Sequence, residues 1–135
     1  MPTDGTSVKG TILVVDDEPA VRRVLLMRLQ LAGYRVVSAE DGEEALEVFH
    51  LESPDLVVLD VMLPDINGKE VCGLVRSQKA MDDVRIICIS GMVEADKIQE
   101  LRDSGANDFM KKPFDVDDLI GRICQLLEVE TAPTQ

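Results

Sequence analysis

The chain has 135 residues, 45% of them hydrophobic, which suits one domain with a core of its own. Asp and Glu number 26 against 14 Lys and Arg, and the resulting net charge of -12 repels polyanions, which argues against direct binding of nucleic acid or anionic lipid. Aromatic residues are only 3% with no Trp, which removes the stacking platforms of single-stranded nucleic-acid binders and many flavin sites.

Residues 1–9 are small and polar and read as a lead-in. The first strand is Thr11-Ile-Leu-Val-Val15, with Asp16 and Asp17 at its carboxyl end. Pro19 then suits the first turn of a helix, where its missing N–H costs nothing. Val21, Val24, Leu25, Leu29 and Ala32 recur at helical spacing until Gly33 stops the helix. Tyr34–Ala39 is β-prone, and Asp41 followed by Glu44 has capping-box spacing before Ala45, Leu46 and Phe49. Ser53-Pro54 ends that helix.

Asp55-Leu-Val-Val-Leu-Asp60 is apolar at nearly every position before its final acid, as expected of a central parallel strand covered on both faces. Pro64–Gly68 reads as a loop, and Asn67 with Glu70 repeats the capping spacing ahead of Val71, Leu74 and Val75, in a helix running to about Gln78. Asp82-Asp83 is a turn, and Val84–Ile89 a fourth strand ending in Ser90-Gly91. Ala95, Ile98 and Leu101 form a thinner helical stripe, closed by Ser104-Gly105. Asn107–Met110 is the fifth strand, Lys111-Lys112-Pro113-Phe114 the turn, and Asp115 caps a last helix bearing Leu119, Ile120, Ile123 and Leu127. The tail from Glu128 carries no apolar period.

Alternating strands and helices predict an α/β fold with a parallel sheet, because parallel strands need crossover connections. Ligands of such sheets bind beyond the carboxyl ends of the strands. Asp16, Asp17, Asp60, Ser90 and Lys112 all fall there. Three carboxylates within about 5 Å of one another would repel by roughly 3 kcal/mol per ionised pair at an effective dielectric near 20. A hard divalent cation such as Mg2+ relieves that, and Lys112 adds a fixed positive charge. With charge drawn from a bound phosphoryl group, Asp60 can attack phosphorus to form an aspartyl phosphate.

The acids of Val14-Val15-Asp16-Asp17, Asp60 followed by Val61-Met62-Leu63-Pro64 and Gly68, Ser90-Gly91 after a strand, and Lys112-Pro113-Phe114 together resemble the receiver domain of bacterial two-component response regulators. The resemblance covers residues 10–128, with 1–9 as lead-in and 129–135 as tail or linker. It implies a doubly wound, flavodoxin-like, five-stranded sheet of order 2-1-3-4-5 with five helices, an order that comes from the family and not from the pattern. It further implies Asp60 as phosphoacceptor, with Mg2+ held by Asp16, Asp17, Asp60 and the backbone carbonyl of Met62. Lys112 would contact the phosphoryl group, Ser90 and Phe109 would be a linked switch pair, and the Lys112-Pro113 bond would be cis.

By the same resemblance the phosphodonor is a sensor histidine kinase or a phosphotransfer protein, and the target a downstream protein or a tethered effector domain. A phosphorylation-dependent dimer belongs to the expected repertoire, and the fourth and fifth helices form the family's usual partner surface. The chain would be a phosphoacceptor rather than an enzyme, though one that assists its own phosphorylation and dephosphorylation. Met62 and Met92 lie two residues beyond Asp60 and Ser90, flanking the attack path in the family. Neither can orient a water, so a long-lived phosphoryl group is expected.

Taken singly these residues allow other readings. Asp16-Asp17 suits a capping turn, Asp60 a strand-ending turn, Lys112 a solvated lysine, Ser90 a Ser-Gly turn and Phe109 the core. An aspartyl-nucleophile phosphohydrolase is the enzyme alternative, but such enzymes want a second acid where Met62 stands. A pseudo-receiver acting by contacts alone is the third. Cys72, Cys88 and Cys124 stand singly without a CxxC and read as buried small hydrophobes in a reducing compartment. His50, the only histidine, ends a helical pattern. No apolar run of about 18 residues and no secretory leader pattern is present, so neither a membrane span nor export is expected and the chain is assigned to the cytoplasm.

Overall fold

The apolar run that ends in Asp60 forms β3 (Leu56–Asp60), and all of its residues are buried, as required of a strand whose sheet is covered on both faces. The structure, a computed structural model, describes residues 9–62, 68–77, 84–91 and 95–131. The expected loop before Gly68 with its Asn67 cap, the Asp82-Asp83 turn and Met92 lie outside the described residues.

Around β3 lie β1 (Thr11–Val15), β2 (Arg35–Ala39), β4 (Arg85–Ser90) and β5 (Asp108–Lys111), all parallel, in the order β2-β1-β3-β4-β5. The crossovers are α1 (Pro19–Leu31), α2 (Gly42–Glu52), α3 (Gly68–Ser77), α4 (Ala95–Asp103) and α5 (Val116–Thr131). This is the doubly wound α/β fold that the sequence predicts. From β1 the chain steps outward to β2, then back across to β3, so the order reverses at the β1/β3 boundary, where such sheets form a crevice.

Strand side chains alternate between two apolar layers, as a period of two demands. Leu13, Val15, Val57, Leu59, Ile86 and Cys88 face Ala45 and Phe49 of α2, Val71, Cys72 and Val75 of α3, and Leu101 of α4. Ile12, Val14, Val36, Leu56, Val58, Ile87, Ile89 and Met110 face Leu25 and Leu29 of α1 and Leu119 and Ile123 of α5. Each fully buried Leu or Ile contributes roughly 1.5–3 kcal/mol.

Helix ends follow local chemistry. Pro19 opens α1, and the Gly33 and Tyr34 N–H groups close it on the Gln30 and Leu29 carbonyls at 3.0 and 3.1 Å. Gly33 takes φ +105°, a conformation that favours glycine. The Gly105 and Ala106 N–H groups repeat this closure at the end of α4. Only half of the capping box at α2 forms. Asp41 accepts from the Glu44 N–H at 2.8 Å, but the Glu44 carboxylate reaches back to the Glu40 N–H instead of that of Asp41.

Several expectations need correction. Val24 and Leu74, counted in the apolar helical spacing of α1 and α3, are 43% and 45% exposed. Periodicity marks a stripe but not its width, and these positions sit on the outer margin. Helix α5 continues to Thr131 instead of fading at Glu128. Ser90 and Lys111 belong to strand ends, paired with each other, and not to the turns that follow. Among described residues, no helix is long and apolar enough to cross a membrane.

Candidate functional site

Register brings the acids level. Val15 pairs with Leu59, so Asp16 leaves β1 at the height at which Asp60 ends β3. Asp60 in turn pairs with Ile89, and Val61 N–H continues the ladder to the Ile89 carbonyl at 2.9 Å, which puts Ser90 of β4 at the same edge. Asp16, Asp60 and Ser90 are buried, while Asp17 is exposed. One carboxylate oxygen from each of Asp16, Asp17 and Asp60 lies within 4.8 Å of the others.

Lys112 reaches this cluster from the turn after β5. Its backbone N–H donates to the Ser90 carbonyl at 2.8 Å, and the Lys112-Pro113 peptide is cis, as expected. The ammonium lies 3.1 Å from Asp16 Oδ2, 3.1 Å from Asp60 Oδ2 and 3.2 Å from Glu18 Oε1. The other Asp60 oxygen accepts from the Met62 N–H at 2.9 Å, so both oxygens of Asp60 are oriented. The Met62 side chain is 57% exposed at the mouth. Phe109 is partly buried against the layer that contains Leu101, in keeping with its reading as a core residue.

Burial pushes the Asp16 carboxyl above its ordinary range of about 3.8, with the negative charge of Asp60 adding to it. The Glu18 N–H, which donates to Asp16 at 2.9 Å, and the Lys112 ammonium offset part of this. Burial also works against the Lys112 charge, but its hydrogen bonds to Asp60 and Asp16 outweigh it and the ammonium is held well above the ordinary lysine range. Three carboxylates facing one ammonium leave excess negative charge in a small volume. Hard oxygen donors at this spacing fit a divalent cation, and Asp16, Asp17 and Asp60 are the residues that could hold it.

Two participants escaped the sequence reading. Glu18 is a further carboxylate on Lys112, and the Arg22 guanidinium donates to the Asp16 carbonyl at 2.6 Å, pinning the loop from α1. The consecutive acids Asp16-Asp17-Glu18 were a visible signal for Glu18. Arg22 gave none, since an arginine on a helix surface is ordinary.

Residues 12–124 match the family model of the response regulator receiver domain. The chain belongs to that family. The receiver is 47% identical over 127 residues to the protein named "Probable transcriptional regulator ycf27" from Cyanophora paradoxa, a match covering 93% of this chain and 52% of that protein. It thus spans about half the length of the curated relatives it matches. Among solved structures, the chemotaxis protein CheY4 of Vibrio cholerae superposes on this receiver with a TM-score of 0.82 at 31% identity, covering 86% of this chain and 97% of that one. The structure named "BeF3 Activated DrrB Receiver Domain" superposes with a TM-score of 0.80 at 31% identity, covering 88% and 97%.

Proposed function

We propose that this receiver accepts a phosphoryl group on Asp60 from the phosphohistidine of a sensor kinase or phosphotransfer protein, and that the acylphosphate switches a partner surface. The observation that carries the reading is the Lys112 ammonium bridging Asp16 and Asp60 at 3.1 Å each, with Asp17 beside them. A structural salt bridge needs one acid per base, whereas this arrangement keeps surplus acids together at the end of a buried strand. The resemblance to a receiver domain named as BeF3 activated adds support.

In this mechanism the Met62 N–H fixes one oxygen of Asp60 and turns the other toward the incoming phosphorus. That oxygen forms the new P–O bond as the P–N bond to the donor imidazole breaks. Lys112 transfers its contact from Asp60 to a phosphoryl oxygen, and the hydroxyl of Ser90, a buried residue at the neighbouring strand end, donates to another. Mg2+, held by Asp16, Asp17, Asp60 and the Met62 carbonyl, would supply Lewis-acid charge for the phosphoryl oxygens. Asp60 then carries the phosphate without a turnover cycle, so the chain is a phosphoacceptor and not an enzyme acting on a separate substrate.

An apolar groove of about 480 Å³ opens beside Lys112, between α1 and the turn after β5, lined by Ala20, Val21, Val24, Pro113 and Phe114. It offers the donor protein a dry footing next to the site. Relatives named as transcriptional regulators suggest that the output is transcription through a tethered domain, with Ser90 and Phe109 coupling the phosphate to the α4 face. Incubation with acetyl phosphate and Mg2+ tests the reading. One base-labile phosphate per chain, absent from Asp60→Asn, is the expected result. Phosphate release with no base-labile phosphate held on the chain, or labelling of Asp60→Asn, would refute it.

A further inference from the structure

Two cysteines that stand far apart in sequence meet inside the protein. Cys72 of α3 and Cys88 of β4 place their sulfurs 3.8 Å apart, and both are wholly buried in the layer between the sheet and α2–α4. Cys124 cannot compete, because it packs on the opposite face of the sheet with its sulfur 3.2 Å from the Tyr34 hydroxyl. A disulfide needs about 2 Å between sulfurs, so the pair must close by a little under 2 Å, within the range of side-chain rotation and a slight shift of the helix. Cys88 lies two residues before Ser90 on the same strand.

We propose that Cys72 and Cys88 form a reversible disulfide under peroxide stress, fastening α3 to β4 beneath the strand end that carries Ser90. The two thiols are unequal. The S–H of Cys88 supports a thiolate on Cys72, with the Arg76 charge assisting, whereas the same contact and burial push Cys88 far up. Arg76 lies one helical turn along α3 from Cys72 and favours negative charge there, so Cys72 is taken as the attacking sulfur. Its thiolate forms an S–O bond to the peroxide as the O–O bond breaks and hydroxide leaves, giving a sulfenic acid. The Cys88 sulfur then attacks the Cys72 sulfur, the S–O bond breaks, and the departing hydroxide takes the Cys88 proton as water. The sum is two thiols and one peroxide giving one disulfide and two waters. Local opening of α3 from β4 admits the oxidant, so formation is slow and graded with dose.

This inference stands apart from the phosphoryl chemistry, and its test needs no phosphodonor. The reduced full chain is treated with hydrogen peroxide under native conditions, quenched with an alkylating agent and digested without reductant. The expected product is a monomer that has lost two hydrogens, with Cys72 and Cys88 in one cross-linked peptide that dithiothreitol separates. Cys124→Ser gives the same peptide, and Cys88→Ala gives none. A loop of this length should lower the unfolded population on the order of a hundredfold, read as a higher urea midpoint, and should slow amide exchange over residues 71–77 and 85–90. The proposal is overturned if the cross-link forms only in urea, if peroxide oxidises Cys124 while Cys72 and Cys88 still alkylate after unfolding, or if the cross-linked chain is less stable than the reduced one.

Discussion

Lys112 Nζ stands 3.1 Å from Asp60 Oδ2 although the two residues are 52 positions apart in the chain. In the proposed phosphotransfer the same ammonium would pass from Asp60 to a phosphoryl oxygen, so it would serve both the resting site and the reacting one. Replacing it by Met leaves buried carboxylates without their counter-charge. Lys112→Met should destabilise the metal-free protein by about 1–3 kcal/mol and cut the rate of labelling by acetyl phosphate at least roughly tenfold. Urea titration and a time course of labelling read the two effects separately. Unchanged labelling would remove Lys112 from the chemistry.

Asp16 sets a pH dependence whose sign follows from its raised pKa. The folded state binds the Asp16 proton more tightly than the unfolded chain does. This group's contribution to stability therefore falls as pH rises from about 3.8 through its higher folded value, and stays low at neutral pH. Asp16→Asn should flatten that fall and raise the urea midpoint of the metal-free protein at neutral pH. Mg2+ should stabilise the wild type by mass action and the variant much less. A variant stabilised by Mg2+ as strongly as the wild type would show that Asp16 is not a ligand.

Met62 presents an exposed thioether at the mouth while its N–H holds Asp60. Only the side chain changes in Met62→Glu or Met62→Asn, so the backbone contact survives. A polar group there can orient a water on phosphorus, and the half-life of the phosphorylated protein should drop several-fold. A half-life equal to or longer than that of the wild type would place control of hydrolysis elsewhere.

Asn107 ties two elements together away from the site. Its Oδ1 accepts from the Ile86 N–H and from the Arg76 guanidinium, each at 2.8 Å, and Arg76 also holds the Gly105 and Val84 carbonyls. Asn107→Ala leaves the Ile86 N–H without this acceptor, at a cost of about 1–3 kcal/mol. Thermal unfolding should register that loss, with phosphoryl labelling unaffected in the folded protein.

The central strands β1, β3 and β4 were legible because each is a short apolar run that stops at a polar residue, and helix ends at Gly33 and Gly105 were legible because glycine punctuates so sharply. Asp16, Asp17, Asp60, Ser90 and Lys112 could be assigned to one edge because in a parallel sheet all carboxyl ends share it. What failed to show was contact between elements. Nothing local told Cys72 from any other small core residue, nor Asn107, read as the first residue of the fifth strand, from an ordinary strand end. Val24 and Leu74 misled for a related reason, since apolar spacing on a helix does not say where the neighbouring helices stop.

The register Val15 to Leu59 and Asp60 to Ile89 has a consequence for how such a protein can diversify. Backbone hydrogen bonds that no substitution of a surface side chain can rewrite set the height of the reactive groups. Outer helix positions such as Met27 and Leu31 on α1 can therefore change from one regulator to the next while the acids and the lysine stay in place. If the proposed phosphotransfer holds, the sheet would keep that chemistry constant and leave the helices to carry the address.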